Sequence, residues 1–214
     1  FGEFSRIYQS FLNPKLCLDN NINNSFEVIN FAKENKIKII YSATSSALGN
    51  NGQDENESPY TWAKSKNIEL IKNYSKWFGL KYELVYFYNV YGPGQILNGS
   101  MAAVIGIFET QFRKKKPLTV VKPGSQRRDF THISDIVRGC YLAMTKGKQN
   151  EYMLCTNKTY SILQIVKIFN TKYKFLKSRP GDRFGSTTLN NNAKTILGFQ
   201  AKIDVKEYIK ILIR

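Results

Sequence analysis

The chain contains one histidine, His132, in 214 residues, and three cysteines, Cys17, Cys140 and Cys155. A histidine-rich metal centre is therefore excluded. A Ser-His-Asp hydrolase would have to use His132, and the G-x-S-x-G nucleophile elbow does not occur. The cysteines are far apart and odd in number, so they form neither a metal spacing nor a disulfide framework. A reducing, cytoplasmic setting is the simplest expectation. No apolar run approaches the roughly 20 residues of a membrane span. The opening "FGEFSRIYQS" has neither the basic head nor the apolar middle of a signal peptide, and no initiator methionine. Acidic residues are scarce, 16 against 32 basic ones, for a net charge of +16. That balance favours anionic partners. The lysines are spread along the chain, and the one dense run, Arg113 to Lys116, lacks interleaved aromatics. It reads as a solvated helix end, and nucleic acid is not the expected partner.

What is present is enough for a packed core: 42% hydrophobic residues, with aromatics alone at 14%. "NSFEVINFAKEN" reads as an amphipathic helix with Phe26, Ile29 and Phe31 among its apolar positions. "IKIIYSA", from Ile37, reads as a buried strand. A polar loop follows. Pro59 then opens a helix expected from about Tyr60 to Trp77, stopped by Gly79. "YELVYFYN" is a second strand, closed by the turn-rich "VYGPGQ". Helical crossovers imply parallel strands in a sheet covered on both faces. In the second half, "AAVIGIFETQFRKK" reads as a helix, "LTVV" as a strand and "RDFTHISDIVRGCYLAMTKG" as a strand entering a helix. "EYMLCT" reads as a strand, "YSILQIVKIFNTKY" as a helix capped by Ser161 with Gln164, and "VKEYIKILI" as the last helix. Gln95 to Ser100 is the best boundary between the halves.

One spacing carries chemistry. In "SPYTWAKSK", Tyr60 and Lys64 stand at i and i+4, on one helical face. A tyrosine is a poor base near neutrality because its ordinary pKa is about 10. A neighbouring ammonium favours the phenolate, so the pair can act as a base on an alcohol or an acid on a ketone. Tyr-x-x-x-Lys alone is unspecific, and an exposed helix start is the bland reading. The preceding strand ends in the hydroxyl cluster "YSATSSALG", at the carboxyl edge where open α/β sheets bind ligands.

These motifs together resemble the extended short-chain dehydrogenase/reductases, the NAD-dependent epimerase/dehydratase group, and especially nucleotide-sugar epimerases of the UDP-glucose 4-epimerase type. The resemblance runs through "YSATSSALG", "SPYTWAKSK", "YFYNVYGPGQ", "PLTV", "RRDFTHISD", "RPGD" and "ILGF", in the family's order. It implies an α/β fold: part of a Rossmann-type parallel sheet over residues 1–95, with a smaller mixed α/β substrate domain over 96–214. Part of 128–156 is expected to pack back on the first unit. It implies that Tyr60 is the acid/base, that Lys64 supports it and binds the nicotinamide ribose, and that Thr44, five residues before Gly49, bonds the reacting hydroxyl. Ser42 and Asn20 are the implied further cofactor contacts. Asn89, Arg128, Arg179 and Asp182 are implied to bind the sugar nucleotide; guanidinium suits a diphosphate because it binds phosphate oxygens in a bidentate fork. NAD is the implied cofactor, a nucleotide-diphosphate sugar the implied partner, and a homodimer through the helices around Phe26–Asn35 and Tyr60–Trp77 the implied assembly. On the residues alone, Asn89 could simply cap its strand and Arg128 could pair with Asp129 or another carboxylate on the surface, while His132 reads as a structural residue.

The sequence departs from this pattern in one large respect. None of the fourteen glycines forms G-x-x-G-x-x-G or G-x-G-x-x-G, the turn that holds a dinucleotide pyrophosphate at a helix N-terminus. The expectation is a chain that begins beyond the first strands of the sheet. The loop between Gly49 and Ser58 is short for the group, and Tyr86 stands where relatives commonly have arginine. Thr44 is followed by Ser45 and Ser46, where the family's dehydratases and decarboxylases carry acidic residues, so the resemblance points to redox-neutral epimerisation. A reductase or dehydrogenase of the same family, and a binding protein without turnover, remain open at this level.

Overall fold

The computed structural model describes residues 2–48, 54–178, 185 and 188–214. Gly49, Arg179 and Asp182 lie outside the described residues.

The chain enters through two short helices, α1 (Ile7–Leu12) and α2 (Pro14–Leu18). A π-helical turn over Asp19–Asn23 then continues into α3 (Asn24–Glu34). Strand β1 (Ile39–Thr44), helix α4 (Pro59–Phe78) and strand β2 (Tyr82–Phe87) form a β-α-β crossover, with β1 parallel to β2 from Ile39↔Tyr82 to Thr44↔Phe87. The third strand of this sheet, β6 (Glu151–Leu154), comes from the far half of the chain and lies parallel to β2 on its other edge, in the order β1-β2-β6. Alternation along β2 explains why two faces need covering. Leu84 and Tyr86 join Ile29, Ala32, Ile71 and Tyr74 of α3 and α4 in one core. Val85 joins Tyr152 and Leu154 in a second core under Ile136 and Ala143 of α6 (Ile133–Lys146), closed by Leu197 and Phe199. Leu84, Val85, Tyr152 and Leu154 are fully buried, and each such apolar side chain stabilises by roughly 1.5–3 kcal/mol.

A third core sits among α5 (Val104–Arg113), α7 (Ile162–Phe169) and α9 (Val205–Leu212), around Leu118, Val120 and Phe130. These belong to β4 (Leu118–Val121) and β5 (Arg127–His132). Strand β3 (Asn89–Tyr91) runs parallel to β5, and β5 is antiparallel to β7 (Thr159–Ser161). Strand β4 pairs in parallel with β8 (Tyr173–Leu176), and a single-turn helix, α8 (Asn192–Thr195), follows.

Helix α4 starts where its cap chemistry dictates. Ser58 Oγ accepts the Thr61 N–H and Thr61 Oγ1 accepts the Ser58 N–H, each at 3.1 Å, with Pro59 in the first turn. The helix ends at Gly79, whose left-handed φ of 71° suits glycine. The Ser161–Gln164 box also forms. Three expectations need correction. The helix after Ser161 ends at Phe169, because Asn170 turns left-handed at φ 48° and sends the chain into β8. "VYGPGQ" begins as strand β3 before it turns. In α3, Ile29 is buried while Phe31 is 60% exposed, so the buried stripe is narrower than the apolar pattern.

Candidate active site

A cavity of about 590 Å³ opens at the carboxyl ends of β1 and β2 and extends towards β4 and β5. The cap at Ser58 aims the first turn of α4 into it. Tyr60 is buried there, lining the cavity with Thr44, the last residue of β1, whose hydroxyl lowers the phenol pKa. Thr44 Oγ1 also accepts the Ser46 N–H at 3.1 Å, which fixes the hydroxyl at the strand end. The Tyr60 N–H donates to Ser10 Oγ at 3.3 Å. One turn along α4, the Lys64 ammonium donates to the Ser42 carbonyl oxygen at 2.6 Å and forms an ion pair with the Glu3 carboxylate.

The electrostatics differ from the expectation that Lys64 lowers the Tyr60 pKa. Burial pushes the phenol up to about 12; the Thr44 hydroxyl opposes this, Glu3 adds to it, and the Arg6 guanidinium lowers it. Burial also lowers the Lys64 pKa, and Glu3 partly restores it. Desolvation therefore outweighs the neighbouring charges for both groups. Lys64 is compensated by Glu3, while Arg6, anchored by its Nε to the Met101 carbonyl at 2.8 Å, is the cation that favours the phenolate.

Tyr60, Lys64, Thr44, Ser42, Asn89 and Arg128 all line the one cavity. Asn89 Nδ2 donates to the Asp129 carbonyl at 3.0 Å, so the amide also ties β3 to β5. The Asp129 carboxylate is buried and accepts the N–H and Oγ of Thr156 at 3.0 and 2.9 Å, and Arg128 donates to the Arg127 carbonyl at 2.8 Å. Asn20 does not join the cavity. Its side chain bonds along its own helix, to the Leu16 carbonyl and to Asn24. The π turn rotates Asn21 inward instead, where it is fully buried against the Phe4 backbone. His132 caps α6 by accepting the Ser134 N–H. Among the described residues, no three His, Cys, Asp or Glu side chains cluster to hold a metal.

Sequence reasoning missed Glu3, Arg6 and Gln126. The first two meet the site only through contacts spanning more than fifty residues, which no local periodicity reveals. Gln126 lies five residues beyond the end of β4, lines the cavity, and is buried with its Oε1 unpartnered among the described residues.

The site thus sets a buried tyrosine and lysine one turn apart beside a threonine at a parallel strand's carboxyl end. Residues 2–156 match the NAD dependent epimerase/dehydratase family. The chain belongs to this family. One relative, a UDP-glucuronate 4-epimerase of Thermodesulfobacterium geofontis, is 27% identical over 92% of this chain and 65% of its own length. Another, UDP-glucuronic acid decarboxylase 6 of Arabidopsis thaliana, is 22% identical over 94% of this chain and 63% of its own. A solved UDP-glucose 4-epimerase of Thermotoga maritima, with UDP-glucose, superposes with a TM-score of 0.93 at 25% identity, over the whole of this chain and 74% of its own. The fold is thus the family's α/β fold with a Rossmann-type parallel sheet. NAD is the family's cofactor, and solved neighbours carry it. The residues present fit one end of that cofactor. Tyr60, Lys64 and Ser42 offer polar donors and acceptors in one cavity, while the glycine turn for the pyrophosphate is not in this sequence.

Proposed function

We propose that this chain carries the catalytic centre of a nucleotide-sugar 4-epimerase, acting on a UDP-hexose through a transient 4-keto sugar. The observation that carries the reading is the buried Tyr60–Lys64 pair beside Thr44 in one cavity that Asn89 and Arg128 also line. Tyr60 exchanges a proton with the sugar's C4 oxygen, acting as base when the alcohol is oxidised and as acid when the ketone is reduced. Thr44 holds that oxygen and the phenol in line. Arg6 stabilises the phenolate as it forms. Lys64 and Tyr60 would hold the nicotinamide ribose, and NAD, when bound, supplies the hydride acceptor and donor for C4.

At the other end of the cavity Arg128 binds the diphosphate. The unpartnered Gln126 oxygen offers an acceptor for an imide N–H such as that of uracil. Arg179 and Asp182 are proposed as further contacts to the same ligand. Epimerisation is favoured over elimination or decarboxylation because Ser45 and Ser46, rather than carboxylates, follow Thr44.

The test is proton NMR of UDP-sugars incubated with NAD+ and protein expressed from the complete reading frame containing this chain. Tyr60→Phe should abolish C4 epimer formation, by at least about a hundredfold for loss of a general acid/base, with UDP-sugar affinity retained. Unchanged turnover in Tyr60→Phe removes the assignment. Net formation of reduced cofactor would identify a dehydrogenase instead.

A second reading is sugar-nucleotide binding without turnover. Calorimetry separates the two: binding of UDP-sugar without NAD+ supports the second.

A further inference from the structure

Glu3 enters the site from the segment before α1, and three elements converge on it. Its Oε1 accepts hydrogen bonds from Ser25 Oγ of α3 at 2.7 Å, Tyr41 OH of β1 at 3.0 Å and Asn67 Nδ2 of α4 at 3.2 Å. Its Oε2 takes the Lys64 ammonium. The two side chains of this ion pair are 5% and 13% exposed. The backbone beside Glu3 is clamped as well. The Phe4 N–H donates to Asn21 Oδ1 at 2.7 Å and Asn21 Nδ2 donates to the Phe4 carbonyl at 2.9 Å. Asn67, three residues beyond Lys64, donates in turn to the Asn21 carbonyl. Stability alone is a poor account of this arrangement, because burying two charges costs about as much as their attraction returns, and apolar side chains of similar volume commonly do as well. What the carboxylate achieves is geometric. With Ser42 O on one side and Glu3 on the other, Lys64 is held against β1, its ammonium 4.5 Å from the Tyr41 ring centre.

We propose that Glu3 is a positioning residue for the Tyr60–Lys64 pair: braced by Ser25, Tyr41 and Asn67, its carboxylate fixes the Lys64 ammonium against β1 within one helical turn of the phenol. The proposal rests on the acid/base reading of Tyr60 for its catalytic meaning. The ion pair itself can be tested without turnover.

Glu3 from the entry segment is the charged group that shifts Lys64; the Tyr41 ring of β1 faces the ammonium, and Tyr60 of its own helix and Arg6 line the same cavity. The test is an NMR titration of the whole chain labelled with 13C at lysine Cε, with Lys64→Met identifying the resonance. Glu3→Gln keeps the shape and removes the charge, so the Lys64 midpoint should fall by about one pH unit or more. An unchanged midpoint in folded Glu3→Gln overturns the proposal. Should Glu3→Gln not fold, Glu3→Gln/Lys64→Met should refold, since no charge is then left unpaired. A double variant no more stable than Glu3→Gln overturns it. In the NAD-loaded protein from the complete reading frame, Glu3→Gln should lower kcat while KM for the UDP-sugar stays put, and an effect confined to KM overturns it. If no variant or wild type turns over, the epimerase reading fails while the titration still decides the ion pair.

Discussion

At Tyr60 burial outweighs every nearby charge and pushes the phenol up to about 12. An unfolded tyrosine ionises near 10. Between those values the unfolded chain has lost the proton that the folded chain keeps, so stability is fully present below about pH 10 and falls as pH rises to about 12. Two units correspond to about 3 kcal/mol. Tyr60→Phe should therefore lose up to that much less stability than wild type across this window, as measured by urea unfolding at stepped pH; equal losses would contradict the burial account. At Arg128 the geometry of the cation matters as well as its charge. Arg128→Lys should weaken UDP-sugar binding about tenfold by calorimetry, because a point charge cannot make the bidentate contact. Tyr60, Lys64, Thr44, Asn89 and Arg128, which line one cavity, were picked out by the family resemblance of the motifs that hold them, Tyr60 and Lys64 also by their helical spacing. Glu3 and Arg6 were not, because their roles exist only after the entry segment folds across α3, β1 and α4. Asn20 does not line the cavity; its side chain bonds along its own helix, where a π turn runs over Asp19–Asn23.

At the scale of elements, α4 is the part on which the site depends. Ser58→Ala removes one half of its capping box and should cost about 1 kcal/mol. The measurement is the urea midpoint, with an unchanged denaturant slope. Gly79→Ala should cost about 1 kcal/mol for a different reason: a Cβ there meets open space, so only the left-handed φ of 71° is strained. Helices with caps and strands with β-branched or aromatic alternation were readable in advance. The elements that were not, α1, α2, β3, β7 and β8, are three to six residues long, too short for a period to register. β8 in particular has weak apolar alternation and is strand because β4 pairs with it.

Across the whole molecule, exposed apolar side chains gather on α3 and α4: Val28, Phe31, Trp77 and Phe78 are each more than half exposed. A second copy of the chain is the occupant we propose for them, as the resemblance implied. Phe31→Asp combined with Trp77→Asp should halve the mass seen by sedimentation equilibrium; an already monomeric wild type would remove the proposal. Among the described residues no helix is long and apolar enough to cross a membrane. The parallel sheet with both faces covered was legible from alternating helix and strand patterns. That β6 completes it from residues 151–154 depends on a long return of the chain that no local signal specifies.

The account turns on one proton-transfer residue, and its most direct test is the fate of C4. Protein from the complete reading frame, given NAD+ and a UDP-hexose, should produce the C4 epimer by NMR with no net reduced cofactor, and Tyr60→Phe should bind the same sugar nucleotide and produce none. Epimer formation by Tyr60→Phe at the wild-type rate would contradict it.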